Sequence, residues 1–212
     1  MRLADLRGRG IYAGAPDAHR CIFIHIPKTA GTSVAEALFN LPSRHIPYTE
    51  YLRASPRKFR SYFKFAFVRN PWDRLVSTWS FLRKGGMNEP DRAWADRHLS
   101  KYSDFDSFVR DGLGRPEVQS WIHFRPQADF ILAPDGTVMV DFVGRYERIG
   151  EDFSIIARRL GVREALGAHN HSDHAPFASY FTPTSAGIVA SVYARDIDAF
   201  GYQSPIVKLP ST

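Results

Sequence analysis

The 212-residue chain holds one cysteine, Cys21, so an intramolecular disulfide framework is excluded and the usage is that of a reducing compartment. No apolar run approaches the roughly 18 residues of a membrane span, and the opening Met1-Arg2-Leu3-Ala4-Asp5-Leu6-Arg7 lacks the apolar middle of a secretory signal. These absences predict a cytoplasmic protein with no integral membrane association. There is no repeat at solenoid spacing and no low-complexity tract. Charge of one sign is also scarce: 28 Lys and Arg against 22 Asp and Glu leave +6, modest for nucleic acid and suited to a small anionic ligand if the cations converge. No nucleic-acid partner is expected. What is present in quantity is apolar and aromatic content, 44% and 14%, enough to exclude a disordered chain.

Residues 1–20 scatter Arg2, Arg7, Arg9 and Arg20 among Gly8, Gly10, Gly14 and Pro16 without a period, and read as a loose basic leader; residues 21–212 read as one domain. Cys21-Ile22-Phe23-Ile24-His25-Ile26, stopped by Pro27, has the composition of a buried parallel strand. Ser33-Val34-Ala35-Glu36 has the form of a capping box opening a helix that runs toward Pro42. The unit recurs: Phe63 to Val68 reads as a strand, and Asn70-Pro71 opens a helix whose Leu75, Trp79 and Leu82 share a face before Gly85. Further on, residues 91–114 read as helical and charged. Two short strands are expected within 130–143 around the turn Ala133-Pro134-Asp135-Gly136-Thr137. An amphipathic helix ends at Gly161, and one long helix runs from Thr182-Pro183 to Gly201. Strands alternating with helices predict an α/β fold with a mainly parallel central sheet flanked by helices on both faces.

A helix N-terminus carries unpaired N–H groups and partial positive charge, so a glycine-bearing loop that feeds one is an anion site. Pro27-Lys28-Thr29-Ala30-Gly31-Thr32-Ser33 has that form, with Thr32 and Ser33 as hydroxyl donors and Lys28 as a mobile cation. It departs from the nucleoside-triphosphate loop, because Lys28 precedes the only glycine by three residues and no first glycine is present. The second strand delivers Arg69 to a helix start, and Ser77, seven residues past Asn70 and about two turns into that helix, is expected to face the same sheet edge. An arginine fork and a hydroxyl suit a phosphate monoester. Two anion sites at strand ends imply a nucleoside ligand phosphorylated at both ends.

Phe23-Ile24-His25-Ile26-Pro27-Lys28-Thr29-Ala30-Gly31-Thr32-Ser33 resembles the 5′-phosphosulfate loop of carbohydrate sulfotransferases, and Phe67-Val68-Arg69-Asn70-Pro71-Trp72-Asp73-Arg74-Leu75-Val76-Ser77 resembles their 3′-phosphate motif. The likeness continues through Asp141 to Glu147 and Tyr193 to Tyr202, and is nearest to the group containing heparan sulfate 2-O- and chondroitin 4-O-sulfotransferases and their bacterial relatives. It implies a P-loop-like three-layer α/β fold for a sulfotransferase domain over 21–212. It also implies 3′-phosphoadenosine 5′-phosphosulfate (PAPS) as donor and a carbohydrate or glycolipid hydroxyl as acceptor. Carried over, Lys28, Thr29, Ala30, Gly31, Thr32 and Ser33 hold the 5′-phosphosulfate, and Arg69 and Ser77 the 3′-phosphate. His45, in His45-Ile46-Pro47-Tyr48-Thr49-Glu50-Tyr51, matches the proposed catalytic base of the 2-O enzymes, whose second histidine is replaced here by Ser43.

Sulfuryl transfer through a loose in-line transition state asks mainly for positioning and electrostatics. Lys28 is expected to meet the departing bridging oxygen and His45 to take the acceptor proton, with no metal required. His25, on an apolar strand, reads as a packed group or one that supports the site from behind rather than as the base, and His123 as either a second candidate base or a packed residue. The run His169-Asn170-His171-Ser172-Asp173-His174 matches no zinc template and reads as a loop near the acceptor. Trp72, Trp79 and Phe81 read as core. Two other readings stay open from sequence: a P-loop kinase of a small metabolite, and a non-catalytic nucleotide- or polyanion-binding module.

Overall fold

The computed structural model describes residues 10–163, 166 and 176–206; the His169–His174 run lies outside them. In chain order, α1 (Ala15–His19), β1 (Cys21–Ile24), α2 (Gly31–Phe39), α3 (Tyr48–Ala54), α4 (Pro56–Ser61) and β2 (Phe63–Val68) come first. Then come α5 (Pro71–Arg83), α6 (Glu89–His98), α7 (Phe105–Asp111) and α8 (Pro116–Gln119). The chain continues through α9 (Ala128–Ile131), β3 (Phe142–Arg145) and α10 (Ile149–Leu160), and ends in α11 (Pro183–Val192) and α12 (Ala194–Phe200). It divides into two compact units, Met1–Arg69 with Gln127–His171 and Asn70–Pro126 with Ser172–Thr212.

The first unit is built on a parallel sheet of order β1-β2-β3, in register Ile24↔Ala66 and Ala66↔Val143. On one face Phe23, Phe65 and Phe67 form a core with Val34, Ala35 and Leu38 of α2 and with Phe153 and Ile156 of α10. On the other, Ile22, Ile24, Ala66 and Val68 are fully buried, as strands covered on both faces must be. Lys64, a buried cation in β2, is matched by Asp141 at 2.8 Å, whose carboxylate also accepts the Lys64 N–H. The expected α/β sheet flanked by helices is therefore present.

The first unit differs from expectation in three places. The described half of the expected loose leader is bound in: Tyr12 is buried with its hydroxyl donating to the Tyr51 carbonyl at 2.8 Å, and Asp17 accepts from Lys58 and Tyr62. Helix α2 begins at Gly31 with Ala30 as N-cap, so Ser33 is its third residue and the expected capping box does not form. The turn at 133–137 forms, but its flanks pair only through the bridge Leu132↔Val138, residues 128–131 turn helical, and the strand is β3.

The second unit is helical, with Trp72, Leu75, Val76, Trp79 and Leu82 of α5 packed on Phe105, Phe108 and Val109 of α7 and on Ala186 and Val189 of α11. Trp72 and Trp79 are core as expected, with Phe81 packed against it. Asn70 caps α5, its side chain accepting from the N–H of Trp72 and Asp73. The expected long terminal helix is broken at Tyr193, buried and bonded through its hydroxyl to the Phe124 carbonyl at 2.8 Å. The charged stretch 91–114 is likewise two helices, α6 and α7, the second opened by an Asp104 capping box. No helix among the described residues is long and apolar enough to cross a membrane.

Candidate functional site

Parallel pairing ends β1, β2 and β3 at one edge of the sheet, where Arg69 and Tyr146 leave their strands side by side and His25 follows β1 level with Phe67. The loop after β1 is held in an unusual conformation. Lys28 and Ala30, neither a glycine, have φ of 67° and 64°, each costing about 1–3 kcal/mol. Strain of this kind persists where the surroundings over-determine it. Here the Thr29 hydroxyl donates to the Ile26 carbonyl at 2.9 Å from a fully buried position. Thr29, expected to touch the ligand, thus braces the loop with its side chain. Ala30 brings no side-chain acceptor to the first turn of α2, so no cap group competes with an anion for those N–H groups. Thr32 is exposed, and Lys28 and Ser33 are half-buried.

Gly31 has an ordinary helical backbone; what demands glycine there is His25. A Cβ on Gly31 would stand 1.9 Å from His25 Cδ2 and 2.2 Å from Nε2. The imidazole, 5% exposed, lies against the first residue of α2 and parallel to Phe23, and Ser43 Oγ is 2.6 Å from its Nδ1. His45 sits beside it, ring centroids 4.2 Å apart, with His45 Nδ1 at 3.0 Å from the His25 carbonyl. A carbonyl only accepts, so Nδ1 carries the proton and Nε2 of neutral His45 is the basic nitrogen. Next to this segment a cavity of about 320 Å³ is bordered by Phe23, Phe39, Leu41, Ser43, Ile46 and Tyr51.

Arg69 is 3% exposed and fixed on all sides. Its N–H donates to Gln127 Oε1 and its carbonyl accepts from Gln127 Nε2, both at 2.8 Å. Its Nη1 donates to the Lys28 carbonyl at 3.2 Å, and the guanidinium lies over the Tyr146 ring at 3.9 Å. The arginine therefore ties the two anion-site segments together. Sequence reading missed both supports. Tyr146 sits in a run it had singled out, just past a strand, and that placement was the signal. For Gln127, 58 residues from Arg69, no local signal exists.

Ser77 lies in the second unit, on the second turn of α5, 9% exposed. In the same unit His123 is buried, with Nε2 at 3.1 Å from the buried Asp91 carboxylate, while its carbonyl accepts from Arg74 and Thr78. That is a packed, carboxylate-held histidine. Burial pushes the Cys21 thiol up to about 12, away from the thiolate form. Among the described residues no three His, Cys, Asp or Glu side chains group as metal ligands.

No solved structure matches the chain. An uncharacterized protein of Archaeoglobus fulgidus is 28% identical over 54% of this chain and 80% of its own length. Carbohydrate sulfotransferase 14 of Danio rerio is 25% identical over 68% of this chain and 47% of its own length. Carbohydrate sulfotransferase 10 of Pongo abelii is 24% identical over 89% and 66%. The chain thus spans about half to two thirds of the length of these sulfotransferases. Residues 15–203, which carry the strained loop, Arg69 and both histidines beside the sheet edge, match the sulfotransferase family profile, and the chain belongs to that family.

Proposed function

We propose that this chain transfers a sulfuryl group from PAPS to a hydroxyl of a carbohydrate or glycolipid acceptor. The observation that carries the reading is the braced loop before α2, joined to Arg69 through the Lys28 carbonyl, at the edge where His45 presents a basic Nε2. The N–H groups of Gly31, Thr32 and Ser33 receive the donor's 5′-phosphate, and Arg69 its 3′-phosphate. The acceptor oxygen gives its proton to His45 Nε2 as its bond to sulfur forms. The bond from sulfur to the bridging phosphate oxygen breaks in line, and adenosine 3′,5′-bisphosphate (PAP) departs with the electron pair. Lys28 and the loop N–H groups stabilise that charge, by about 3–4 kcal/mol per well-placed donor.

The cavity of about 320 Å³ beside the His45 segment supports an acceptor with an apolar portion next to its sugar, the glycolipid side of the proposal. Titration calorimetry with PAP in magnesium-free buffer tests the donor assignment: uptake is expected, and uptake of ATP with magnesium but none of PAP would point to a kinase. Sulfate transfer from labelled PAPS to octyl β-glucoside, with methyl β-glucoside in parallel, tests the acceptor. The octyl compound is expected to turn over at lower concentration, and equal turnover removes the apolar subsite.

A further inference from the structure

The cavity of about 320 Å³ in the first unit lies along one face of β1. Side chains alternate along a strand, so Cys21, Phe23 and His25 share that face. Cys21 and Phe23 border the cavity, and the His25 ring stacks on Phe23 at 5.6 Å. The His45 ring packs on His25 at 4.2 Å, so the face that starts in the cavity ends at the candidate base. The remaining walls are largely apolar, with Ile11 from the segment before α1 and Phe39 and Leu41 from the end of α2 and beyond. Among the described residues that line the cavity, Arg44 is the one that carries charge. Its side chain is exposed, and no carboxylate among the described residues forms an ion pair with it. Its charge acts on the phenol of Tyr51, another lining residue, in the direction that opposes burial.

We propose that this cavity and Arg44 select an acceptor in which an alkyl chain is joined to the sugar through an anionic phosphodiester. The chain lies against Cys21 and Phe23, the phosphodiester meets the Arg44 fork, and the sugar hydroxyl reaches His45, the next residue along. An apolar cavity bordered by a single cation matches an apolar chain with one negative charge at its head. Ether and carboxylic ester linkages are neutral, whereas a phosphodiester joins two groups and keeps its charge. The chain's own first nine residues, with Arg2, Arg7 and Arg9 against Asp5, carry the same sign as Arg44 and do not complement it. The inference rests on the acceptor reading given above and narrows it from any glycolipid to an anionic one.

Calorimetry without donor compares octyl β-glucosyl phosphate, a phosphodiester, with octyl β-glucoside and methyl β-glucosyl phosphate. The octyl phosphodiester is expected to bind about 3- to 10-fold tighter than octyl glucoside, as for a charge-assisted contact at an exposed arginine, and the gap narrows as salt is raised. The methyl compound, which leaves the cavity empty, is expected to bind at least about 100-fold more weakly than the octyl phosphodiester. Arg44→Gln removes the gap and leaves octyl glucoside within about twofold. Leu41→Ser, at a position 46% exposed, weakens both octyl compounds several-fold and keeps the gap. With labelled PAPS, the octyl phosphodiester is expected to turn over at lower concentration than octyl glucoside in the wild type and at equal concentration in Arg44→Gln. Equal binding of the two octyl compounds by the wild type, or a gap that survives Arg44→Gln, overturns the proposal. A gap in binding with no preference in transfer overturns the acceptor role of the site. PAP uptake is expected to stay within about twofold in both variants. A wild-type chain that takes up no PAP fails the donor reading, while the binding of the octyl compounds still judges the cavity and Arg44.

Discussion

A methyl group added to Gly31 has no backbone obstacle, and alanine is preferred over glycine within a helix by about 1 kcal/mol. It would nevertheless meet the His25 ring at 1.9 Å. The ring must leave its contact with Ser43 or the helix must shift, and overpacking of this kind costs about 1–3 kcal/mol. Gly31→Ala is therefore expected to lower stability by that amount in urea denaturation and to weaken PAP at least tenfold. The double variant His25→Ala/Gly31→Ala recovers most of the stability, because the two changes are coupled. Additive losses would show that the ring does not set the requirement. Arg69→Ala is expected to weaken PAP about 100-fold in calorimetry, since it removes a charged donor and loosens the Lys28 carbonyl and Tyr146 contacts together. Arg69→Lys does not restore it, as an ammonium has no planar fork to lie on Tyr146. For His45→Ala the expectation is opposite in kind: PAP affinity within about twofold, with turnover of a sulfated acceptor down about 10²- to 10⁴-fold. Full turnover in that variant would place the base elsewhere.

At the scale of elements, the strand-to-helix units were legible because their signals are local. Phe63 to Val68 is an apolar and aromatic run broken only by Lys64, and Asn70-Pro71 caps α5 as read. Replacing Asn70 by alanine removes acceptors for the Trp72 and Asp73 N–H groups and is expected to lower stability by about 1 kcal/mol in a denaturant titration. An unchanged midpoint would mean solvent replaces the cap at no cost. What could not be read depends on distant partners. Strand β3 is short and contains Gly144, a weak signal until the Phe67 ring is seen where a Gly144 side chain would lie, at 2.5 Å. The start of α2 moved upstream because Thr29 and the left-handed Lys28 and Ala30 close the loop early, and no composition announces such a conformation. The break at Tyr193 follows from a hydroxyl reaching Phe124, 69 residues away. In the site, the residue types were visible and their supports were not. Arg69 could be picked out at a strand end, whereas Gln127 and Tyr146, which hold it, are brought to it only by the sheet.

Across the whole chain, buried groups with high proton affinity make alkaline pH the vulnerable side. Burial pushes Cys21 and Tyr51 in the first unit and Tyr193 in the second each up to about 12, against ordinary values of 9.0 for the thiol and 10.0 for the phenols. Each is neutral when protonated, and its folded value lies above its unfolded one. The unfolded chain therefore loses these protons first as pH rises. The stability they contribute is complete below about pH 9 and is lost progressively between there and pH 12. Urea midpoints are expected to be flat with respect to these groups near neutrality and to fall steadily above pH 9. Tyrosinate absorbance from the buried rings is expected to appear with unfolding rather than ahead of it. Tyr193→Phe removes one titrating group, and with it part of the alkaline slope, while losing the bond to Phe124 at every pH, so its midpoint starts lower and falls less steeply. A Tyr193→Phe curve parallel to the wild type above pH 9 would mean that the phenol does not titrate on unfolding in this range, and that alkaline loss of stability arises from other groups.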